Sequence, residues 1–155
     1  MVAYSAPSTV EEVVRILAGA SGVAKVLSGG TDLLVQIRSG RTRPALIVDT
    51  KKIPGISGIS ERDGGFVIGA ATPGAVIGEC EPLKKAWPGI VEATNLIGST
   101  QVQGRATLAG NLCNASPAAD SVPALIAARA TCVVAGANGR REVPVDSIVT
   151  GSVVL

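Results

Sequence analysis

Apolar positions in the first fifty residues recur with a helical spacing and then with a strand-like one. Val13, Val14, Ile16 and Leu17 fall on one helical stripe. Ser8 and Glu11 form an S-x-x-E capping box directly before that stripe, and Gly19 supplies the stop. A short apolar run at 24–27 predicts a strand that opens into Ser28-Gly29-Gly30-Thr31-Asp32. Leu33, Leu34 and Ile37 return to helical spacing up to a stop near Gly40, and ALIV at 45–48 predicts a second buried strand. Strand, loop, helix and strand in so few residues predict a compact parallel βαβ unit.

The pattern then changes. Gly and Pro crowd residues 53–58, which predicts a boundary between two subdomains, 1–54 and 55–155. Residues 56–60 and 66–69 flank Arg62-Asp63-Gly64-Gly65 and predict a β-hairpin. Pro73 opens a short helix toward Gly78, and residues 88–96 predict a helix burying Ile90, Val91 and Leu96. Further along, 123–128 predict a helix and 131–135 a strand, and Asn138-Gly139 predicts a tight turn into residues 142–145. The predicted class is α+β: a small βαβ subdomain followed by a mixed or antiparallel one.

One stretch resists both periods. IGSTQVQGRATLAGNLCNASPAAD, residues 97–120, is poor in bulky side chains and rich in Gly, Ala, Ser, Thr and Asn. It predicts a loop rather than an ordinary core helix. Small residues let another molecule approach the backbone, and short amides and hydroxyls suit phosphates and ring edges. With the earlier Val26-Leu27-Ser28-Gly29-Gly30-Thr31-Asp32-Leu33 stretch, this suggests a large ligand gripped at two points. Taken alone, a strand-to-helix turn with two glycines is more often an ordinary tight turn than an anion site. It ends in neither G-K-[ST] nor G-x-G-x-x-G, so neither phosphate fingerprint is present. Asp32 and Asp120 each carry two readings, an acid favoured at a helix N-terminus or a ligand acceptor.

Composition narrows the classes. At 155 residues the chain is long enough to bury about 68–70% of its unfolded surface. Aromatics are confined to Tyr4, Phe66 and Trp87, so a flat ligand must be held by aliphatic side chains and backbone. The absence of histidine excludes Ser-His-Asp and Cys-His catalysis, and no catalytic residue is predicted. Cys80, Cys113 and Cys132 lack C-x-x-C spacing, which predicts no metal centre and free thiols in a reducing cytoplasm. Net charge +2 with dispersed basic residues predicts no nucleic-acid surface, and no apolar run reaches membrane-spanning length.

SGGTDLL near the start, then IGSTQVQGRATLAGN and ASPAAD at this spacing, resemble the flavoprotein subunits of the molybdenum hydroxylases. The resemblance runs over essentially the whole chain. It implies FAD between two α+β subdomains, electrons arriving from a molybdenum-cofactor large subunit through a [2Fe–2S] small subunit, and an external acceptor. By that resemblance Val26, Leu27, Ser28, Gly29, Gly30, Thr31, Asp32 and Leu33 wrap the pyrophosphate. Ile97 and Gly98 lie near the ring system. Thr107, Leu108, Ala109, Gly110 and Asn111 form a second pyrophosphate loop, and Asp120 contacts the cofactor. Ala109 departs from the family's Gly-Gly pair. Family members continue beyond Leu155, so the fold is expected to be truncated at its C-terminus, with Val153-Val154-Leu155 a strand cut from its sheet. Two alternatives stand beside this reading: a cofactor-free remnant acting as a scaffold module, and a stand-alone flavin oxidoreductase.

Overall fold

A computed structural model describes residues 1–116 and 118–148. The expectation about a strand at 153–155 lies outside the described residues, as does Pro117 of the ASPAAD motif. The architecture is α+β. A three-stranded parallel sheet is built from β1 (Ala3–Ser5), β2 (Ala24–Leu27) and β3 (Leu46–Asp49), in the order β1-β3-β2. The βαβ unit is parallel, with Ala24 opposite Leu46 and Leu27 opposite Asp49. The pattern did not reveal β1: three exposed or half-exposed residues at the chain start carry no periodicity, and only pairing with β3 makes them a strand.

Helix α1 (Val10–Ala18) follows β1, and Gly19 closes it by donating its N–H to the Arg15 carbonyl at 3.0 Å. The capping box sits one residue later than the S-x-x-E pattern implied. Thr9, in extended conformation, is the N-cap and accepts from the Glu12 N–H at 3.1 Å, while the Glu12 carboxylate accepts from the Ser8 N–H at 2.9 Å. Adjacent Ser8-Thr9 and Glu11-Glu12 make both registers available, and burial of Val13 against Val48 and Ile53 selects this one. Helix α2 (Leu33–Arg38) joins β2 to β3.

Beyond residue 50 the strands are antiparallel. β4 (Ile59–Arg62) and β5 (Gly65–Ile68) form the expected hairpin around Asp63 and Gly64, both at positive φ (51° and 75°), as a two-residue Asp-Gly turn requires. β6 (Thr131–Gly136) and β7 (Gly139–Pro144) form a second hairpin. Its turn is Ala137-Asn138, one residue earlier than expected, because Gly139 already pairs with Gly136.

Between the hairpins lie α3 (Gly74–Gly78), α4 (Glu81–Ala86), α5 (Pro88–Asn95), α6 (Thr100–Gln103), α7 (Leu108–Asn114) and α8 (Ser121–Ala127). Ile77, Leu83, Ile90, Val91 and Leu108 form the larger core cluster. Leu96, expected inside, is 66% exposed, since α5 ends at Asn95. The stretch read as one loop holds α6 and α7, whose Leu108 and Leu112 are buried. Two leucines four apart anchor a helix otherwise made of small residues. No helix among the described residues is long and apolar enough to cross a membrane.

Candidate functional site

The site is built where the parallel strands end. In such sheets ligands lie outside the carboxyl ends of the strands, because the loops there diverge and leave a crevice. The turn after β2 carries the first predicted loop. Gly30 sits at φ +82°, a conformation favouring glycine, and a Cβ there would meet Leu27 Cδ1 at 2.8 Å. Gly29 has no room for a side chain either: a Cβ would collide with the backbone carbonyl of Arg105. The Cβ side of each glycine faces protein, and Gly29 lets the first loop lie directly on the chain leading into α7.

Ser28 strengthens that junction. Its hydroxyl donates to the Ala70 carbonyl at 3.1 Å and lies 3.4 Å from the Thr107 hydroxyl. Proton counting fixes the direction. The Gly110 N–H donates to Thr107 Oγ1 at 3.0 Å, capping α7, and the single Ser28 proton goes to Ala70. The Thr107 hydroxyl is therefore the donor to Ser28. A second strut joins α2 to α7, where Gln36 Nε2 donates to Asn114 Oδ1 at 3.1 Å.

Thr107 to Asn111 thus form the N-cap and first turn of a helix rather than a loop. Thr107 and Leu108 are buried. Ala109 lies inside α7 and is absent from the positive-φ residues, so its methyl costs no backbone strain. The Asn111 amide oxygen accepts from Ser121, a buried hydroxyl at the start of α8, at 2.6 Å. That contact brings the exposed Asp120 next to Asn111. Asp120 is helical (φ −54°, ψ −35°), and its side chain makes no capping bond. Asp32, also at an N-cap position, makes none either. For Asp120 the structure withholds the hydrogen bond that the capping reading requires, whereas favourable placement of Asp32 at the helix start needs none.

The predicted residues are not all brought together. Of the first segment, Ser28 meets Thr107 and Gly29 stands against Arg105 and Ala106, and Asp120 is tied to Asn111 through Ser121. Ile97 packs on the larger core cluster, which includes Leu108, and Gly98, at φ +62°, stands against Val102. Neither is hydrogen-bonded to the two loops among the described residues. An apolar cleft between Trp87, Pro88, Ala124 and Ala128 contains no predicted site residue. No group of His, Cys, Asp and Glu side chains with metal-ligand placement occurs among the described residues.

A cluster that the sequence reading missed stands at the end of β3. Asp49, 7% exposed, accepts from Tyr4 Oη at 2.7 Å and from Lys51 Nζ at 2.8 Å, both on Oδ2, and from the Lys51 N–H at 2.9 Å on Oδ1. Burial pushes the Asp49 carboxyl up, but the Lys51 bonds and the Tyr4 hydroxyl outweigh it and hold it below the ordinary carboxylate range. The hydrogen bond to Asp49 in turn raises the Tyr4 phenol. A signal was present: Asp49-Thr50-Lys51 is a polar group directly after a buried apolar strand.

The family described as "FAD binding domain in molybdopterin dehydrogenase" matches residues 1–153. The chain belongs to that family. This FAD-binding domain is 34% identical over 149 residues to the carbon monoxide dehydrogenase medium chain of Hydrogenophaga pseudoflava, covering 96% of the chain and 52% of that protein. It is 31% identical to the xanthine dehydrogenase FAD-binding subunit of Escherichia coli O157:H7, covering 96% of the chain and 51% of that protein. A structure of the Hydrogenophaga pseudoflava carbon monoxide dehydrogenase superposes with TM-score 0.93 at 34% identity, over 97% of the chain and 53% of the matched chain. The chain spans about half the length of the curated relatives it matches.

FAD is the cofactor of this family, and the site fits it. The N–H groups of Gly29, Gly30, Thr31 and Asp32, and those of Leu108 and Ala109, reach no backbone carbonyl among the described residues. Six unpaired donors in two touching segments suit the oxygens of a pyrophosphate. The half-buried Asn111 and the uncapped carboxyl of Asp120 add polar groups beside them.

Proposed function

We propose that this domain is the flavin-carrying electron-transfer element of a molybdenum-hydroxylase-type dehydrogenase. Its partners are a molybdenum-cofactor large subunit and a [2Fe–2S] small subunit. Bound FAD supplies a centre that takes electrons from the iron–sulfur partner and releases them to an external acceptor. The protein's own contribution is binding and orientation. Residues 26–33, with Thr107, Leu108, Ala109, Gly110 and Asn111, hold the pyrophosphate through backbone N–H groups. Asp120 accepts from a cofactor hydroxyl, and Ile97 and Gly98 approach the ring system. The cofactor lies between a first subdomain, 1–54, and a second beginning at 55. The free thiols of Cys80, Cys113 and Cys132 favour a reducing cytoplasm as its location.

The observation that carries this reading is the contact of Gly29 with Arg105, which sets two segments with unpaired N–H donors side by side. Titrating the purified chain with FAD tests it, and quenching of flavin fluorescence at one equivalent is expected. Asp120→Ala should weaken binding about tenfold or more, the worth of a hydrogen bond to a charged group, and leave the melting temperature of the apoprotein unchanged. Ser121→Ala should lower the melting temperature with and without FAD, because it strands the Asn111 amide. A chain that takes up no flavin overturns the reading. Co-expression with the large and small subunits, followed by purification on one of them, tests the assembly.

A further inference from the structure

Lys51 stands outside the residues assigned to the cofactor, yet its ammonium bridges Asp49 Oδ2, at 2.8 Å, and the Ser28 carbonyl oxygen, at 3.2 Å. We propose that Lys51 is a positioning residue for FAD, which holds the Ser28–Gly29 peptide in the one orientation that leaves the Gly29 N–H turned toward the site. The inference rests on the FAD reading above.

Three observations carry it. The Ser28–Gly29 peptide is trans, so the C=O of Ser28 and the N–H of Gly29 point in opposite directions within one rigid plane. Whatever grips the oxygen fixes the direction of the N–H. The flexible partner in that plane is Gly29, and glycine offers little resistance to rotation of an adjoining peptide. Reversal would turn a carbonyl dipole toward the place where the N–H now points, and a carbonyl repels a phosphate oxygen.

The grip itself is anchored. Asp49 is buried, and Tyr4 from β1 and the Lys51 N–H fix its carboxylate, so the ammonium is seated on a rigid base. The Thr50 N–H and hydroxyl both bond the Leu27 carbonyl, at 3.1 and 3.3 Å, which holds the end of β3 against the start of the loop. The Lys51 charge is matched by Asp49, so the pair brings no net charge to the site. Its effect is orientation rather than attraction, and salt should leave that effect untouched.

The test uses the 155-residue chain as wild type, Lys51→Met, which keeps most of the stem and removes the ammonium, and Lys51→Arg, which restores a charged donor. FAD dissociation constants are measured at low and high salt, with the apo melting temperature and the Gly29 amide resonance in parallel. Lys51→Met should bind FAD about tenfold more weakly at both salt concentrations, as expected for loss of one well-aligned charge-assisted contact. The Gly29 amide resonance should shift in the apo Met variant, and Lys51→Arg should restore both resonance and affinity. Undiminished binding by Lys51→Met overturns the inference and leaves the FAD reading standing. A loss that disappears at high salt assigns Lys51 to direct charge attraction and also overturns it. So does an equal loss in the Met and Arg variants that follows a fall in apo melting temperature. If wild type binds no FAD, the reading fails and the inference fails with it.

Discussion

Gly29 shows how much a missing side chain can hold in place. A Cβ there would strike the Arg105 carbonyl, so even alanine forces the first loop off the segment leading into α7. Gly29→Ala should cost about 1–3 kcal/mol as an overpacked contact and abolish FAD uptake. Gly89 is the matching control. It lies in α5, outside the positive-φ glycines, and a methyl added there would meet nothing within 4 Å. Gly89→Ala should raise stability by about 0.5–1 kcal/mol and leave flavin binding alone. Urea denaturation of both variants, with flavin content measured beside it, checks the pair. A folded Gly29→Ala protein with full FAD affinity would show that the two segments need not touch.

Among the elements, α7 depends most on a single residue. Thr107 is 4% exposed, and its hydroxyl both accepts the Gly110 N–H and donates toward Ser28. Thr107→Val keeps the shape but removes the cap, which is worth about 1 kcal/mol at typical N-termini. Thr107→Ser should retain most of that stability, and a shift in denaturation midpoint at constant slope is the measurement. Elements announced by local chemistry were legible in the sequence. Proline and glycine mark α3 and α5, Asp63-Gly64 marks the β4–β5 hairpin, and the apolar runs mark β2 and β3. α4, α6, α7 and β1 were not read from the sequence. Thr107 as cap and Leu108 with Leu112 as anchor define α7 only once the larger core exists to receive them, and β1 exists only through β3. The site was legible as two segments, but not as a contact, because no local pattern encodes a glycine facing a backbone carbonyl 76 residues away in the sequence.

At the scale of the whole molecule, stability should depend on pH at both ends. Burial pushes Asp49 up, yet its bonds hold it lower in the fold than in the unfolded chain. Glu11 is lowered by its own backbone N–H and by Arg140, and Glu12 by the Ser8 N–H. The unfolded state therefore binds more protons as acid is added. The stability these groups contribute is complete above about pH 4–5 and drains as pH falls through their folded values. Tyr4 acts in the opposite sense. Its bond to Asp49 raises its pKa, so its contribution is intact below about pH 10 and is lost as pH rises through the folded value. Melting temperatures from acid to alkaline pH should trace a plateau with two falling limbs, and Tyr4→Phe should flatten the alkaline limb. An unchanged alkaline limb in Tyr4→Phe would show that the Tyr4–Asp49 bond does not contribute.

The contact between Ser28 and Thr107 spans 79 residues of sequence, far more than either hairpin. Closing so long a loop costs entropy that only the assembled core can offset. The seam between the two segments is therefore expected to close after the local hairpins, an order that φ-values at Ser28 and Thr107 would check. Opening the seam would break the Ser28–Ala70, Ser28–Thr107 and Gln36–Asn114 bonds and part Gly29 from Arg105, and hydrogen exchange at the amides of these residues with and without FAD would measure that cost. A cofactor that bridges the two segments would lie across that seam, so its binding should slow exchange there more than elsewhere.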